Sequence, residues 1–263
     1  MNKIFDGILL VSDIDGTFLD EKKQLLKKNL DAVEYFKANG GMFTFATGRY
    51  EKGEQIQEMK NYVNAPAICT NGACIYDFSI ERVIHKQCLD GREIIETLYK
   101  IKEKYSNINV ITIRYTYEDD IVFINNNNKE EILTYDWYKI VIIGDGDILD
   151  EIREYLTDIY GDKYAYSKSE STLFEILDKD ATKGTMIQYL HKYLNEKYNR
   201  KLKLYAIGDY ENDIPMLRYA DFAACPDNAL DIVKAECDLV VCNQDDGSVA
   251  DLIYKIEEEI RHG

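Results

Sequence analysis

The chain has 263 residues, 46% of them hydrophobic, with 32 Lys and Arg against 48 Asp and Glu and a formal net charge of −16. That length admits one large domain or two smaller ones, with apolar residues enough for a sizeable core. The acidic excess argues against nucleic acids and anionic membranes as partners held by general electrostatics, and no apolar run reaches the length of a membrane span.

Residues 8–11 are too short an apolar run for a signal-peptide core, flanked as they are by Asp6 and Asp13, so a cytoplasmic protein is expected. The same run reads as a strand buried on both faces. It ends in Ser12-Asp13-Ile14-Asp15-Gly16-Thr17. Side chains two apart on an extended segment share a face, so Asp13 and Asp15 can aim at one point beyond the strand. Left alone they repel, and one holds its proton. A divalent cation removes that conflict, and carboxylate oxygens suit Mg²⁺. An Asx-turn at Asp15-Gly16 explains the same residues without chemistry.

Residues 22–39 carry Leu26, Leu30, Val33 and Phe36 at helical spacing and stop at Gly40-Gly41. Residues 42–46 form a second buried strand closing at Thr47-Gly48-Arg49, and a polar helix then runs to about Tyr62. A hydroxyl and free amides at a strand's end can hold a phosphoryl group; a helix N-cap at Thr47 is the plainer alternative. A third strand over 66–69 ends at Thr70-Asn71-Gly72. Strands and helices alternating through short links predict a parallel, right-handed α/β sheet.

Then the rhythm changes. Residues 74–76 and 83–86 read as a β-ribbon leaving the sheet. A helix over 91–105 follows, then strands over 109–117 and 121–125, a four-asparagine turn at 125–128 and a weak helix near Glu130. A strand over 139–143, a helix over 148–160 and a hairpin from 164–167 and 172–177 close the block. Residues 80–178 are therefore expected to form an α+β module inserted into a core of 1–79 and 179–263.

The core resumes with a helix capped by Asp180 or Thr182 and running to about Tyr198. Lys183 sits in its first turn, where the macrodipole disfavours a cation. An anion is expected beside it, either a phosphate or the Asp13 carboxylate; a solvated surface lysine is the alternative. A strand over 204–207 breaks at Gly208-Asp209-Tyr210-Glu211-Asn212-Asp213, where acids can complete a metal shell. Asp213 and Pro215 open a helix, a reading that accounts for Asp213 but not for Asp209. Short strands over 222–224 and 239–241 and an amphipathic helix over 248–260 end the chain. The six cysteines show no CxxC spacing and read as reduced, apolar residues.

In this order the four stretches resemble the haloacid dehalogenase superfamily of phosphohydrolases. Asp13-Ile14-Asp15-Gly16-Thr17 matches its first motif and Thr47-Gly48-Arg49 its second. Lys183-Gly184 matches the third, and Gly208-Asp209 through Asn212-Asp213 the fourth. The insertion is similar to the superfamily's second-site cap, as in Cof-like and sugar-phosphate phosphatases. The resemblance implies an α/β fold, a Rossmann-like parallel-sheet core with an inserted α+β cap. It also implies Mg²⁺-dependent hydrolysis of small phosphomonoesters, sugar phosphates first, through an aspartyl-phosphate.

Asp13 is then the nucleophile, with Asp15 the general acid and base. Mg²⁺ is held by the Asp13 and Asp209 carboxylates and the Asp15 main-chain carbonyl, with Asp213 in support. Ile14, Thr47, Gly48, Lys183 and Asn212 grip the phosphoryl oxygens. Arg49 is expected either to orient this network or to make a surface ion pair. A sugar phosphomutase would use the same four stretches. A phospho-acceptor regulatory domain shares the acidic cluster and lysine but needs neither the second acid nor the insertion. The expected partner is a small phosphomonoester, with no nucleic acid or membrane, and the chain a monomer or weak homo-oligomer.

Overall fold

The computed structural model describes residues 3–114, 121–124, 130 and 136–262. The chain separates into two compact units, Met1–His85 with Lys183–Gly263, and Lys86–Thr182. The first begins with β1 (Ile8–Ser12), α1 (Lys27–Ala38), β2 (Met42–Phe45), α2 (Glu54–Met59), β3 (Ala67–Cys69), β4 (Cys74–Asp77) and β5 (Arg82–Lys86). The second holds α3 (Ile95–Lys104), β6 (Asn109–Arg114), β7 (Ile121–Phe123), β8 (Trp137–Ile143), α4 (Gly146–Tyr160), β9 (Tyr164–Glu170) and β10 (Leu173–Asp178). The chain then returns to the first unit with α5 (Lys183–Tyr198), β11 (Lys203–Ile207), α6 (Ile214–Tyr219), β12 (Phe222–Pro226), α7 (Asp231–Lys234), β13 (Leu239–Val241) and α8 (Ser248–His262).

Five strands of the first unit form a parallel sheet in the order β13-β12-β11-β1-β2. Every residue of β1 is buried, as a strand with neighbours on both sides and cover on both faces requires. Leu9 and Val11 of β1 and Leu204 and Ala206 of β11 share one core cluster with Met186, Ile187 and Leu190 of α5. Apolar alternation thus fixes which way each strand faces, and with it which residues reach the sheet's carboxyl edge.

Two local departures from expectation have clear causes. The third strand predicted for the parallel sheet lies outside it. Instead β3 pairs antiparallel with β4 in a separate sheet, β3-β4-β5, and meets the strand 42–46 through a parallel Ala46–Ile68 bridge and the Thr47 amide donating to the Ile68 carbonyl (2.9 Å). So short a strand is satisfied by the hairpin partner that immediately follows it. The first helix begins at Lys27 and not at 22, because the Asp20 carboxylate accepts the amides of Lys22 (2.9 Å) and Gln24 (2.7 Å). That Asx-type turn competes with the helix for the same amides.

In the second unit the sheet order is β7-β6-β8-β10-β9, with antiparallel pairing among the described residues. Val110, Ile140, Ile142, Phe174 and Ile176 pack with Leu98 and Ile101 of α3 and Leu149, Ile152 and Leu156 of α4, the period of two that one helix-covered face demands. At the alternate positions of β8 and β10 stand Lys139 and Glu175, a buried ion pair at 2.5 Å. The expected turn at 125–128, residues 115–117 of the expected strand and the helix expected near Glu130 lie outside the described residues, Glu130 itself excepted. Among the described residues no helix is long and apolar enough to cross a membrane.

Candidate active site

Three strands of the parallel sheet end together. Ser12 is in register with Phe45 on one side and with Ile207 on the other. The Asp13 amide still donates to the Ile207 carbonyl (2.9 Å), and the Ala46 amide donates to the Ser12 carbonyl (2.9 Å). The segments leaving β1, β2 and β11 therefore meet at the carboxyl edge, where parallel α/β sheets place their sites.

The loop after β1 is a tight turn. Ile14 contributes main chain only: its side chain is buried, and its carbonyl accepts the amides of Phe18 (2.9 Å) and Leu19 (3.0 Å). Gly16 has φ +84, and a Cβ there would collide with the Asp209 carboxylate, so the position demands glycine twice over. Three distant side chains pin the loop. Asn29 of α1 donates to the Phe18 carbonyl (2.8 Å) and accepts the Ala250 amide (3.0 Å). Ser248 donates to the Thr17 carbonyl (2.7 Å), and Asn228 to the Gly16 carbonyl (2.8 Å).

Lys183 opens α5, 1% exposed, and its Nζ donates to Asp13 Oδ1 and Asp213 Oδ1, each at 2.6 Å. The anion expected beside this helix-start cation is therefore a pair of carboxylates. Asp213 stands at the N-cap position of α6, as expected, with Pro215 in the first turn, but its side chain makes no cap bond there and it also closes a 3₁₀ turn, Glu211–Asp213. Its Oδ2 reaches back to accept the amides of Asp209 (3.0 Å) and Tyr210 (3.2 Å), the reciprocal half of a capping box. Asp209 Oδ1 accepts a hydrogen bond from Thr17 Oγ1 (2.9 Å).

Burial raises the Asp13 carboxyl well above the usual carboxylate range; Lys183 pulls it down, while Asp213 and Asp209 add to the rise. Asp209 is pushed up to about 7, by burial first and by the Asp213 charge second. Burial opposes the charge on Lys183, but the Asp13 and Asp213 carboxylates outweigh it and hold the ammonium above its usual range. Three carboxylates facing one ammonium leave unbalanced negative charge in a buried space. Asp13, Asp209 and Asp213 each offer an oxygen, all within 4.8 Å of one another. Such a hard-oxygen set fits a divalent cation.

Of the four acids expected around a metal, Asp15 keeps its carboxylate elsewhere. Arg49 holds it in a fork, Nε to Oδ2 at 2.8 Å and Nη2 to Oδ1 at 2.7 Å, while Nη1 reaches Gln55 (2.6 Å). Burial pushes Asp15 up, but the Arg49 hydrogen bonds and charge prevail and hold it below the usual carboxylate range. Arg49 is thus partnered by Asp15 at the site and not by a distant surface carboxylate.

Thr47 is buried and caps no helix: α2 begins at Glu54, after Gly53, and Thr47 Oγ1 accepts the Arg49 amide (3.1 Å). The Asn212 side-chain amide donates to Asn71 Oδ1 (3.1 Å), and the Asn71 amide donates to the Thr47 carbonyl (2.8 Å). The structure thus gathers Asp13, Lys183, Asp209 and Asp213 in one cluster, and Thr47, Gly48 and Asn212 around Asn71. Asn71 was not among the residues expected at the site; its only sequence signal was an Asn-Gly pair after a strand, which reads as a turn.

A model of the haloacid dehalogenase-like hydrolase family matches residues 10–253. The 5-amino-6-(5-phospho-D-ribitylamino)uracil phosphatase YitU of Bacillus subtilis is 24% identical, across 92% of this chain and 94% of its own. The pyridoxal phosphate phosphatase YbhA of Escherichia coli is 22% identical, across 94% of this chain and 97% of its own. The solved structure of the subclass IIB sugar phosphatase BT4131 matches with a TM-score of 0.77 at 21% identity, covering 95% of this chain and 99% of that one. With the family match running from β1 into α8, and so through every segment of this edge, the chain belongs to the haloacid dehalogenase-like hydrolases.

Proposed function

We propose that the chain is a Mg²⁺-dependent phosphomonoesterase of the Cof-like group. It acts in the cytoplasm on small phosphorylated metabolites, sugar phosphates first, through an aspartyl-phosphate. The observation that carries this reading is the buried Asp13 carboxylate at the sheet's carboxyl edge, paired with Lys183 and flanked by Asp209 and Asp213. The names of the similar proteins, phosphatases of ribityl, pyridoxal and sugar phosphates, support a small polar ester. The six free thiols are in keeping with a reducing compartment.

Asp13 attacks phosphorus, the ester P–O bond breaks, and the departing alkoxide takes a proton from Asp15. Water then attacks the phosphoryl group as Asp15 takes its proton, and the bond to Asp13 breaks. Asp15 thus needs its proton in the first step and must lack it in the second. The Arg49 fork favours the unprotonated form, so the fork has to loosen for the first step. Lys183, the Thr47 hydroxyl, the Ile14 and Gly48 amides and the Asn212 side chain are assigned to the phosphoryl oxygens. Asp13, Asp209 and the Asp15 carbonyl would hold the ion, which when bound neutralises charge on those oxygens. Both Asp213 oxygens are committed, to Lys183 and to two amides, so it supports the Asp209 segment from behind. The insertion, 80–178 from sequence and compact over Lys86–Thr182, is assigned the role of a cap that selects the leaving group.

A panel of phosphate esters, assayed with Mg²⁺ and with chelator, tests the reading. Many phosphates released per chain, lost in chelator, are expected, with Asp13→Asn lowering turnover by at least about 10³-fold. No more than one phosphate per chain would point instead to a mutase or a phospho-acceptor.

A further inference from the structure

We infer that Asn71 is a positioning residue for phosphoryl binding, holding the Asn212 side chain and the Thr47–Gly48 turn in the arrangement that grips the phosphoryl oxygens. The inference rests on the proposed reading of Thr47, Gly48 and Asn212 as that grip.

The turn carrying Asn71 is costly in two independent ways. Three successive residues take left-handed backbone, Thr70 at φ 53, Asn71 at φ 56 and Gly72 at φ 103. Glycine adopts such a conformation freely and asparagine tolerates it, but a β-branched threonine does not. The Thr70 hydroxyl is also buried with no hydrogen-bond partner among the described residues, which leaves a desolvated polar group uncompensated. A turn whose only task was to reverse the chain between β3 and β4 would be relieved of both by a glycine at position 70. Backbone strain of this kind persists where surrounding structure demands it, and it concentrates at functional sites.

What the strained backbone achieves is specific. It aims the Thr70 amide at the Arg49 carbonyl (2.9 Å) and the Asn71 amide at the Thr47 carbonyl (2.8 Å), one on either side of Gly48. The Asn71 side chain, 3% exposed, lies against Gly48 itself: a Cβ there would sit 3.0 Å from Asn71 Oδ1 and 3.3 Å from Nδ2. The same Oδ1 accepts the Asn212 amide at 3.1 Å. One buried side chain therefore braces the loop after β2 and the loop after β11, the segments that follow the two neighbours of β1. Holding both in place before substrate arrives removes an ordering cost from phosphoryl binding.

The test is a mutant cycle on the full chain, read by the Ki of orthophosphate as a competitive inhibitor of p-nitrophenyl phosphate hydrolysis, with KM, kcat and Tm alongside. Asn71→Gly keeps the left-handed backbone and removes only the side chain. It is expected to leave Tm within about 3 °C of wild type while weakening orthophosphate at least about tenfold. Adding Asn212→Ala to Asn71→Gly is expected to cost no more than about twofold further, because the two act as one unit. Asn71→Asp keeps the acceptor for Asn212, so in that background Asn212→Ala should cost as much as it does in wild type. An unchanged Ki in Asn71→Gly, or losses that multiply in the double variant, overturns the inference and leaves the grip standing. If Asn212→Ala and Thr47→Ala themselves leave Ki unchanged, the grip reading fails and this inference falls with it.

Discussion

Asp209 and Asp15 sit at the same sheet edge with their acidities moved in opposite directions, and each shift carries its own consequence. Asp209 is pushed up to about 7, far above the value of an exposed carboxylate, about 3.9. Between those two values the folded, metal-free chain holds a proton that the unfolded chain lacks. The stability tied to that proton is present below about pH 4 and is lost as pH rises through 7. A divalent ion competes for the same oxygens, so binding must expel the proton wherever Asp209 still carries it. Mg²⁺ affinity is expected to fall by about tenfold per pH unit below 7. Calorimetric titration in two buffers should find more proton release at pH 6 than at pH 8, with Asp13 contributing beside Asp209, and Asp209→Asn lowering the release at pH 6 by about one proton. Asp15 is held low by Arg49 and is tested by Asp15→Asn, which keeps the shape but exchanges no proton. On the proposed mechanism a nitrophenolate leaves without acid help while hydrolysis of an aspartyl-phosphate still needs a base, so rapid quench should show phosphorylated enzyme accumulating. Equal slowing of both steps would make Asp15 structural.

Strands and helices deliver these residues only if the loop after β1 is held, and α1 and α8 hold it through Asn29 and Ser248. Asn29→Ala should leave the Phe18 carbonyl and the Ala250 amide without a partner in the core. A loss of about 2 kcal/mol or more in urea unfolding is expected, together with a raised KM. The elements themselves were largely legible in the sequence, because β1, β2 and β11 are short, mostly apolar runs, β1 and β11 ending at acid and glycine and β2 at Thr47-Gly48. Two placements were not. The strand at 66–69 was recognisable, but which sheet it joins depends on a hairpin partner that no periodicity reveals. The start of α1 turned on the Asp20 carboxylate capturing two amides, which competes locally with helix formation. At the site, Asp13, Lys183 and Asp209 were readable from residue type and position, since charge at a strand end or helix start is anomalous. Asn71 and the Arg49 fork were not, because an Asn-Gly pair and an arginine near a turn are ordinary in sequence and gain meaning only from partners far along the chain. Asp213 lies between: its presence at a helix start was legible, the direction of its hydrogen bonds was not.

At the scale of the whole molecule, the division into two units makes the cap assignment testable. Each unit has its own apolar cluster, so replacing Lys86–Thr182 by a short linker is expected to leave a folded core. Such a core should keep more of its rate on a small activated ester than on sugar phosphates, by at least about tenfold, since binding energy from the rest of the substrate is what would be lost. Equal losses on both would remove the insertion from substrate selection. The strand order has a further consequence, in time and not in space. β1 is made long before its neighbour β11, which begins at Lys203, and Asp13 meets Lys183 across 170 positions of chain. On the ribosome the inserted unit is contiguous and emerges whole, while β1 waits with one edge open. The candidate site cannot assemble until Lys183 and β11 have followed, and a chain that stops before them exposes an apolar strand edge in place of that site.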